Sequence, residues 1–449
     1  MNELEKILEP LSEYIENKKR EETRWIPGED WVSYSGDVFS KDEYIAAIKS
    51  LVDGWLVFGK KSRQFEEEFV SHLGMNKGVL TNSGSSANLL MVSALKSKNL
   101  YNFPVGTKII TPIVCFPTTV NPILQSGFIP VFVDSTLPDL NLDLEQVERV
   151  LEEDTSKEIR AIMFAHALGN PPNMDKVMEL VKRYDLVLLE DACDALGSTY
   201  DGKKLGSFGD MSSCSFYPAH HMTLGEGGFV ATNKVRNHKV LLSLRDWGRA
   251  CYCNTKKPGD VTGGTACGNR FRKWLPQNKD IIYDHRYVYS EIGFNLKPIE
   301  MQAAIGLEQL KKVESFHSSR VKNFNYLLDV FKPYEKYFHL PKATEKSNPS
   351  WFAFLLTIKE SSSFSRADFV EYLEDAKIQT RNYFSGNLLY HPAYSDIAEQ
   401  YGDLKEMFPV AHKAAVNSFF LGTYPGLTKE KLKYIRKVVN NFFSERRTK

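Results

Sequence analysis

The residues best equipped for chemistry gather around one stretch, Ser212 to Phe229. A short apolar run enters it, Pro218 turns it, and Gly225, Gly227 and Gly228 precede another apolar run. That pattern predicts strand, exposed elbow, strand. His220, at the far end of the elbow, offers an imidazole, a base whose pKa lies near neutrality. Upstream, an apolar run at 186–189 delivers two carboxylates, Glu190 and Asp191, at a strand end. Further upstream, TNSGSSAN at 81–88 precedes a helical pattern at 89–95. Small residues there let backbone N–H groups close on an anion, aided by the positive end of the helix, although the same turn also serves as a plain cap. The cysteines add a third chemistry. Cys251 and Cys253 form a C-x-C pair, Cys267 follows, and Cys193 lies two residues past Asp191. Four thiolates can hold an iron–sulfur cluster or a zinc ion, and buried free thiols are the plain alternative. Cys115 and Cys214 sit on apolar strand ends and read as core thiols; His166 and His221 read as structural.

These groups need a scaffold that brings distant segments together. The chain has 449 residues, enough for a large domain and a smaller one, and a formal net charge of +1 that argues against nucleic acid or an acidic membrane as partner. No apolar run approaches the roughly 18 residues of a membrane span. The first residues are charged and carry no apolar signal core, and six cysteines in this arrangement are unlike a secreted disulfide framework, so a cytoplasmic protein is expected. Strand-like runs at 108–111, 130–133, 161–164 and 186–189 alternate with helical patterns, which predicts an α/β fold with a mostly parallel sheet. Ser40 and Glu43 form a capping box for a helix. We expect an N-terminal helical segment over 1–40. A large domain follows over 41–300, with a cysteine-rich insertion around 249–285. A helix from about 299 to 328 bridges to a smaller α+β domain over 301–449, which contains a strand at 352–358 and a terminal helix from about 428.

Ser215 to His220, followed by Gly225 to Gly228, resembles the cofactor-anchoring segment of the DegT/DnrJ/EryC1/StrS sugar aminotransferases, which use pyridoxal phosphate. Most of that family carries a lysine where this chain has His220. A histidine is similar to the sugar 3-dehydratase branch, and an imidazole cannot form the Schiff base that a lysine amine forms. The resemblance, which runs from about Val32 to the C-terminus, implies a fold-type I aminotransferase fold. It implies that Gly84, Ser85 and the Ser215 hydroxyl hold the cofactor phosphate, that Phe116 stacks on its ring and that Asp191 pairs with its pyridine nitrogen. The segment ending in Asn295 is similar to one that reaches the phosphate from a partner subunit, which implies a homodimer with shared sites. Cys193, Cys251, Cys253 and Cys267 resemble the [2Fe-2S] ligands of the iron–sulfur 3-dehydratases that act on CDP-4-keto-6-deoxy-D-glucose in making 3,6-dideoxyhexoses. The stretches 283–297 and 380–387 are also similar. The gap between Cys253 and Cys267 is longer than that pattern.

The resemblance further implies pyridoxamine phosphate held without a covalent link, and a nucleotide-linked 4-keto-6-deoxyhexose, on CDP, that loses its C3 hydroxyl with His220 as base. Two electrons then come from a separate NAD(P)H-dependent iron–sulfur flavin reductase. Arg381 and Asn387 are expected to contact the sugar nucleotide, since a guanidinium forks onto phosphate. Two alternatives remain open on the residues: a cluster-free enzyme like the GDP-4-keto-6-deoxymannose 3-dehydratases, regenerated by glutamate, and a zinc-stabilised, non-catalytic scaffold. An ordinary aminotransferase is disfavoured because no lysine stands at position 220.

Overall fold

The computed structural model describes residues 3–22, 24–251 and 270–447. Among these, seven strands form the main sheet. Their spatial order is Lys77–Thr81, Gly228–Thr232, Met211–Ser215, Val187–Asp191, Ile159–Ala165, Lys108–Pro112 and Ile129–Val133. The Gly228–Thr232 strand runs antiparallel to both neighbours, and every other neighbouring pair is parallel. Val187–Asp191 and Met211–Ser215 are buried along their whole length. Helices on both faces of a parallel sheet explain why such strands read as plain apolar runs rather than as alternating ones. The register sets Ala165 beside Asp191 and Asp191 beside Ser213. The carboxyl ends of the parallel strands therefore finish level on one edge, where open α/β sheets bind their ligands.

A second, antiparallel sheet has the order Phe338–His339, Ala353–Ile358, Ser418–Gly422 and Arg381–Asn382. Helices Val313–Phe331, Arg366–Asp375 and Lys429–Arg447 cover it through an aromatic core that includes Phe331, Phe354, Phe369 and Phe419. Trp351 stacks on Phe324 at 3.8 Å between ring centroids. The strand at Ala353–Ile358 and the terminal helix fall where the sequence pattern predicts them.

The long helix expected from 299 to 328 is two helices, Glu300–Leu310 and Val313–Phe331. The break has a polar cause. Gln309 is buried and donates to the Val38 carbonyl at 3.2 Å and to Glu43 at 2.6 Å, while Lys312 donates to Ser40 Oγ at 2.7 Å and pairs with Glu43. Ser40 and Glu43 are the capping box of helix Lys41–Val52, so that helix start pins the chain reversal. No helix among the described residues is long and apolar enough to cross a membrane.

Candidate active site

A cavity of about 630 Å3 opens at the carboxyl edge of the main sheet and reaches the second sheet. Its lining includes Gly84, Ser85, Phe116, Asp191, Cys193, Ser215, His220 and Arg381. Eight of the thirteen expected positions thus meet in one space although they span 298 residues of sequence.

One wall is the start of helix Gly84–Ala94. Ser83 caps it, its hydroxyl accepting from Ser86 N at 3.1 Å, and Ser85 Oγ contacts Thr118 Oγ1 at 3.2 Å. First-turn amides have no partner within a helix and carry its positive end. Three segments converge here with no room for side chains. A Cβ on Gly84 would lie 2.5 Å from Ser215 Cβ, and one on Gly228 would lie 2.1 Å from the Ser83 carbonyl oxygen. The result is a cradle of helix amides and the Ser83, Ser85 and Ser215 hydroxyls, which suits the phosphate of the cofactor implied by resemblance.

Asp191 ends its strand at the floor, 5% exposed. One carboxylate oxygen accepts from Asn88 Nδ2 and Thr119 Oγ1, both at 2.8 Å; the other accepts from Cys193 N at 3.2 Å and Ser213 Oγ at 3.3 Å. Four donors hold an anion in one orientation, as pairing with a protonated ring nitrogen requires. Its neighbour Glu190 points to the other face. It accepts from the amides of Gly206, Phe208 and Gly209 at 2.6 to 3.0 Å and contacts His166 Nε2 at 3.0 Å, the Gly206 and His166 contacts fully buried and the other two partly so. Phe116 caps helix Pro117–Gln125 with its ring 51% exposed into the cavity, 6.0 Å edge-on from Phe384, so it is no core aromatic.

His220 follows Tyr217, whose carbonyl accepts the His220 amide at 2.9 Å. Its ring lies 5.3 Å from Phe352 and its Nδ1 is 3.3 Å from Asp194 Oδ1. That distance exceeds an aligned hydrogen bond, and catalytic contacts in the absence of substrate are often this long. Burial pushes the Asp194 carboxyl up, with His220 pulling against it. Arg320 is fully buried and donates to the carbonyls of His220 at 2.9 Å and Phe352 at 3.0 Å. His221 is a different case. Burial, reinforced by Arg320, holds it well below the usual imidazole range, and its Nε2 donates to the Ser350 carbonyl at 2.5 Å.

Cys193 lines the cavity with its Sγ 3.7 Å from Ser213 Oγ; burial, then Asp191, pushes its thiol well up. Cys115 and Cys214 are buried, and burial raises both thiols. Cys251 ends the described chain before 252–269, and Cys253 and Cys267 lie outside the described residues. Among the described residues no three His, Cys, Asp or Glu side chains gather as a metal site. Asn295 lies on the surface, its Oδ1 accepting from Lys297 Nζ at 2.7 Å, and is not among the described lining residues of the cavity. Arg381 stacks 4.2 Å over the Tyr34 ring at the cavity wall. Asn387 is placed elsewhere: it is fully buried, its Oδ1 caps the turn at Leu388–Tyr390, and it is not among the described lining residues.

Sequence reading missed Asn88, Thr119, Asp194 and Arg320. Only Asp194 carried a local signal, since Asp191 to Asp194 sets two acids on one turn after a strand.

Known proteins resemble the chain over most of its length. Residues 39–440 match the profile of the DegT/DnrJ/EryC1/StrS aminotransferase family. The lipopolysaccharide biosynthesis protein RfbH of Salmonella typhimurium is 42% identical over 446 residues, covering 98% of each chain. The dTDP-4-dehydro-2,6-dideoxy-D-glucose 3-dehydratase of Saccharopolyspora spinosa is 38% identical over 447 residues, 98% of this chain and 92% of that one. A solved structure of the Escherichia coli GDP-4-keto-6-deoxy-D-mannose-3-dehydratase with bound hydrated PLP superimposes with a TM-score of 0.77. It is 30% identical and covers 91% of this chain and 99% of its own. The architecture is the α/β fold of fold-type I aminotransferases.

Proposed function

The chain belongs to the DegT/DnrJ/EryC1/StrS aminotransferase family, and on that premise we propose that it removes the C3 hydroxyl of a nucleotide-linked 4-keto-6-deoxyhexose in dideoxysugar assembly for lipopolysaccharide. One observation carries this reading: the elbow presents an imidazole, His220, to the cavity that Asp191 floors. Relatives with 38 to 42% identity that are named for 3-dehydration or lipopolysaccharide synthesis support it.

Pyridoxamine phosphate, when bound, supplies an amine for the C4 ketone and a ring that accepts an electron pair. Gly84, Ser85 and Ser215 would hold its phosphate, Asp191 its ring nitrogen and Phe116 a ring face. The His220 imidazole would take the proton that is lost beside the bound cofactor amine and, as imidazolium, return one to the oxygen leaving C3, so that it departs as water. Phe116, Phe352, Phe384 and Phe420 line the cavity and exclude water around these charges. Arg381 meets the diphosphate of the substrate, whose sugar is carried on CDP. Changing His220→Asn should abolish turnover while cofactor binding, read by absorbance, is kept; retained turnover would refute the base.

The same reading assigns Cys193, Cys251, Cys253 and Cys267 to a [2Fe-2S] cluster, reduced by a separate NAD(P)H-dependent iron–sulfur flavin reductase. Its support is the resemblance of the four cysteine positions together with the place of Cys193 on the cavity lining, and an iron centre there would hold the thiol as thiolate. Protein purified without oxygen should contain iron and acid-labile sulfide; a colourless chain lacking sulfide would remove the cluster. A second reading is favoured by the likeness to the Escherichia coli GDP-sugar 3-dehydratase. It is a cluster-free enzyme regenerated by glutamate, and release of 2-oxoglutarate during turnover with no reductase would select it. The surface position of Asn295 suits a role across a homodimer, which light scattering checks.

A further inference from the structure

We propose that Asp194 is a positioning residue that sets the tautomer and aim of His220. The proposal rests on the reading of His220 as the base.

Three carboxylates leave the same strand end, Glu190, Asp191 and Asp194, and only one is available to His220. Glu190 is saturated by the Gly206, Phe208 and Gly209 amides and by His166. Asp191 is saturated by Asn88, Thr119, Ser213 and the Cys193 amide. Asp194 faces His220, with Oδ1 3.3 Å from Nδ1 and the two side chains 13% and 16% exposed.

The rest of His220 is already fixed. Arg320, on helix Val313–Phe331, holds its carbonyl at 2.9 Å and the Phe352 carbonyl at 3.0 Å, so elbow and second sheet are clamped by one guanidinium. Burial lowers Arg320 to about 10, which leaves it cationic at neutral pH. Phe352 lies 5.3 Å from the imidazole and Tyr217 6.5 Å. What remains free is the flip of the ring and the choice of which nitrogen carries the proton. A carboxylate at Nδ1 settles both. It keeps the proton on Nδ1, leaves the Nε2 lone pair as the base, and favours the imidazolium that proton transfer creates. His221 cannot stand in, because its Nε2 proton is spent on the Ser350 carbonyl.

The test uses the full-length enzyme with Asp194→Asn, Asp194→Glu and, as reference, His220→Asn. The amide of Asp194→Asn can donate to Nδ1 and so moves the ring proton to Nε2. We expect kcat to fall about 100-fold, with KM and cofactor affinity unchanged. Asp194→Glu, which restores the charge, should recover about tenfold of that loss. Nitrogen-15 NMR of the imidazole should show the Nδ1–H form in the wild type and its loss in Asp194→Asn. Wild-type kcat in Asp194→Asn, with His220→Asn inactive, overturns the positioning role and leaves the base intact; an active His220→Asn overturns the base reading first. Should Asp194→Asn not fold, the wild-type spectrum decides, and an Nε2–H form refutes the proposal.

Discussion

Replacing Gly84 with alanine tests where the cofactor phosphate sits. The new Cβ would lie 2.5 Å from Ser215 Cβ, 2.8 Å from its Oγ and 3.2 Å from Cys193 Sγ. Carbon atoms pack at about 3.5–4.0 Å, so the first contact overlaps by about 1 Å. Neither side can retreat. Ser215 Cβ is fixed by a strand paired to Gly228, and the helix start is itself pressed on Gly228, whose own Cβ would meet Ser83 O at 2.1 Å. Such overpacking costs about 1–3 kcal/mol. If the strain falls on the cradle, that is roughly 5- to 150-fold in the dissociation constant of pyridoxamine phosphate. Better helix propensity, worth up to about 1 kcal/mol, acts on folding and not on binding. Equilibrium dialysis against pyridoxamine phosphate reads the affinity, and urea unfolding of the cofactor-free chain reads the fold. Adding Ser215→Gly should relieve the overlap and recover part of the affinity. Gly402→Ala is the control, since its nearest neighbour is Met407 Sδ at 3.9 Å. A Gly84→Ala chain that binds the cofactor as tightly as the wild type and is equally stable would refute the reasoning.

Asp191→Asn puts an NH2 among four donors and leaves two of them without an acceptor, at about 1–3 kcal/mol each; it should lose stability in urea and at least about 100-fold in kcat. Glu190→Ala strips the acceptor from three amides and from the buried His166, and should cost about 3–5 kcal/mol of unfolding free energy; a loss below about 1 kcal/mol would contradict the network around the buried carboxylate. Burial, then Lys77 and Arg245, pulls His238 down to about 4. The unfolded chain therefore binds its proton first, so this stability is whole above pH 6.5 and is lost as pH falls towards 4. His238→Gln should flatten the urea midpoint over that window, and an unchanged slope would contradict it.

The parallel strands were readable because burial on two faces turns each into a short apolar run, as at Val187–Asp191. The cavity lining was readable where a backbone demand selects the residue, as with Gly84, or where a side chain has scarce chemistry, as with His220. It was not readable where partners arrive from other elements. Asn88 and Thr119 are ordinary first- and second-turn residues of two helices, and nothing in their neighbours tells that both donate to Asp191. The helix break at Lys311 and Lys312 depends on Glu43, more than 260 residues earlier. Asn387 shares a stretch with Arg381, yet the turn it caps takes its side chain inward.

The three acids after the Val187–Asp191 strand make the same point about chemistry. Residue type makes each a carboxylate, and spacing puts all three within five positions. What separates Glu190, the proposed cofactor partner Asp191 and the proposed orienter Asp194 is the number of donors the fold delivers to each. Glu190 meets three amides and an imidazole, Asp191 four donors, and Asp194 the His220 ring. A carboxylate surrounded by fixed donors holds one orientation, which suits it to structure or to a fixed counter-ion. One with a single mobile partner can strengthen that contact when the partner gains a proton, which is what a base needs beside it. Removing two of the donors to Asp191, by Asn88→Leu together with Thr119→Val, should therefore leave Asp194 and His220 in place while Asp191 loses the fixed orientation that the proposed pairing with the ring nitrogen needs. The cofactor absorbance band would shift with kcat, and a band that stays put while kcat falls would mean the donors around Asp191 act on something else.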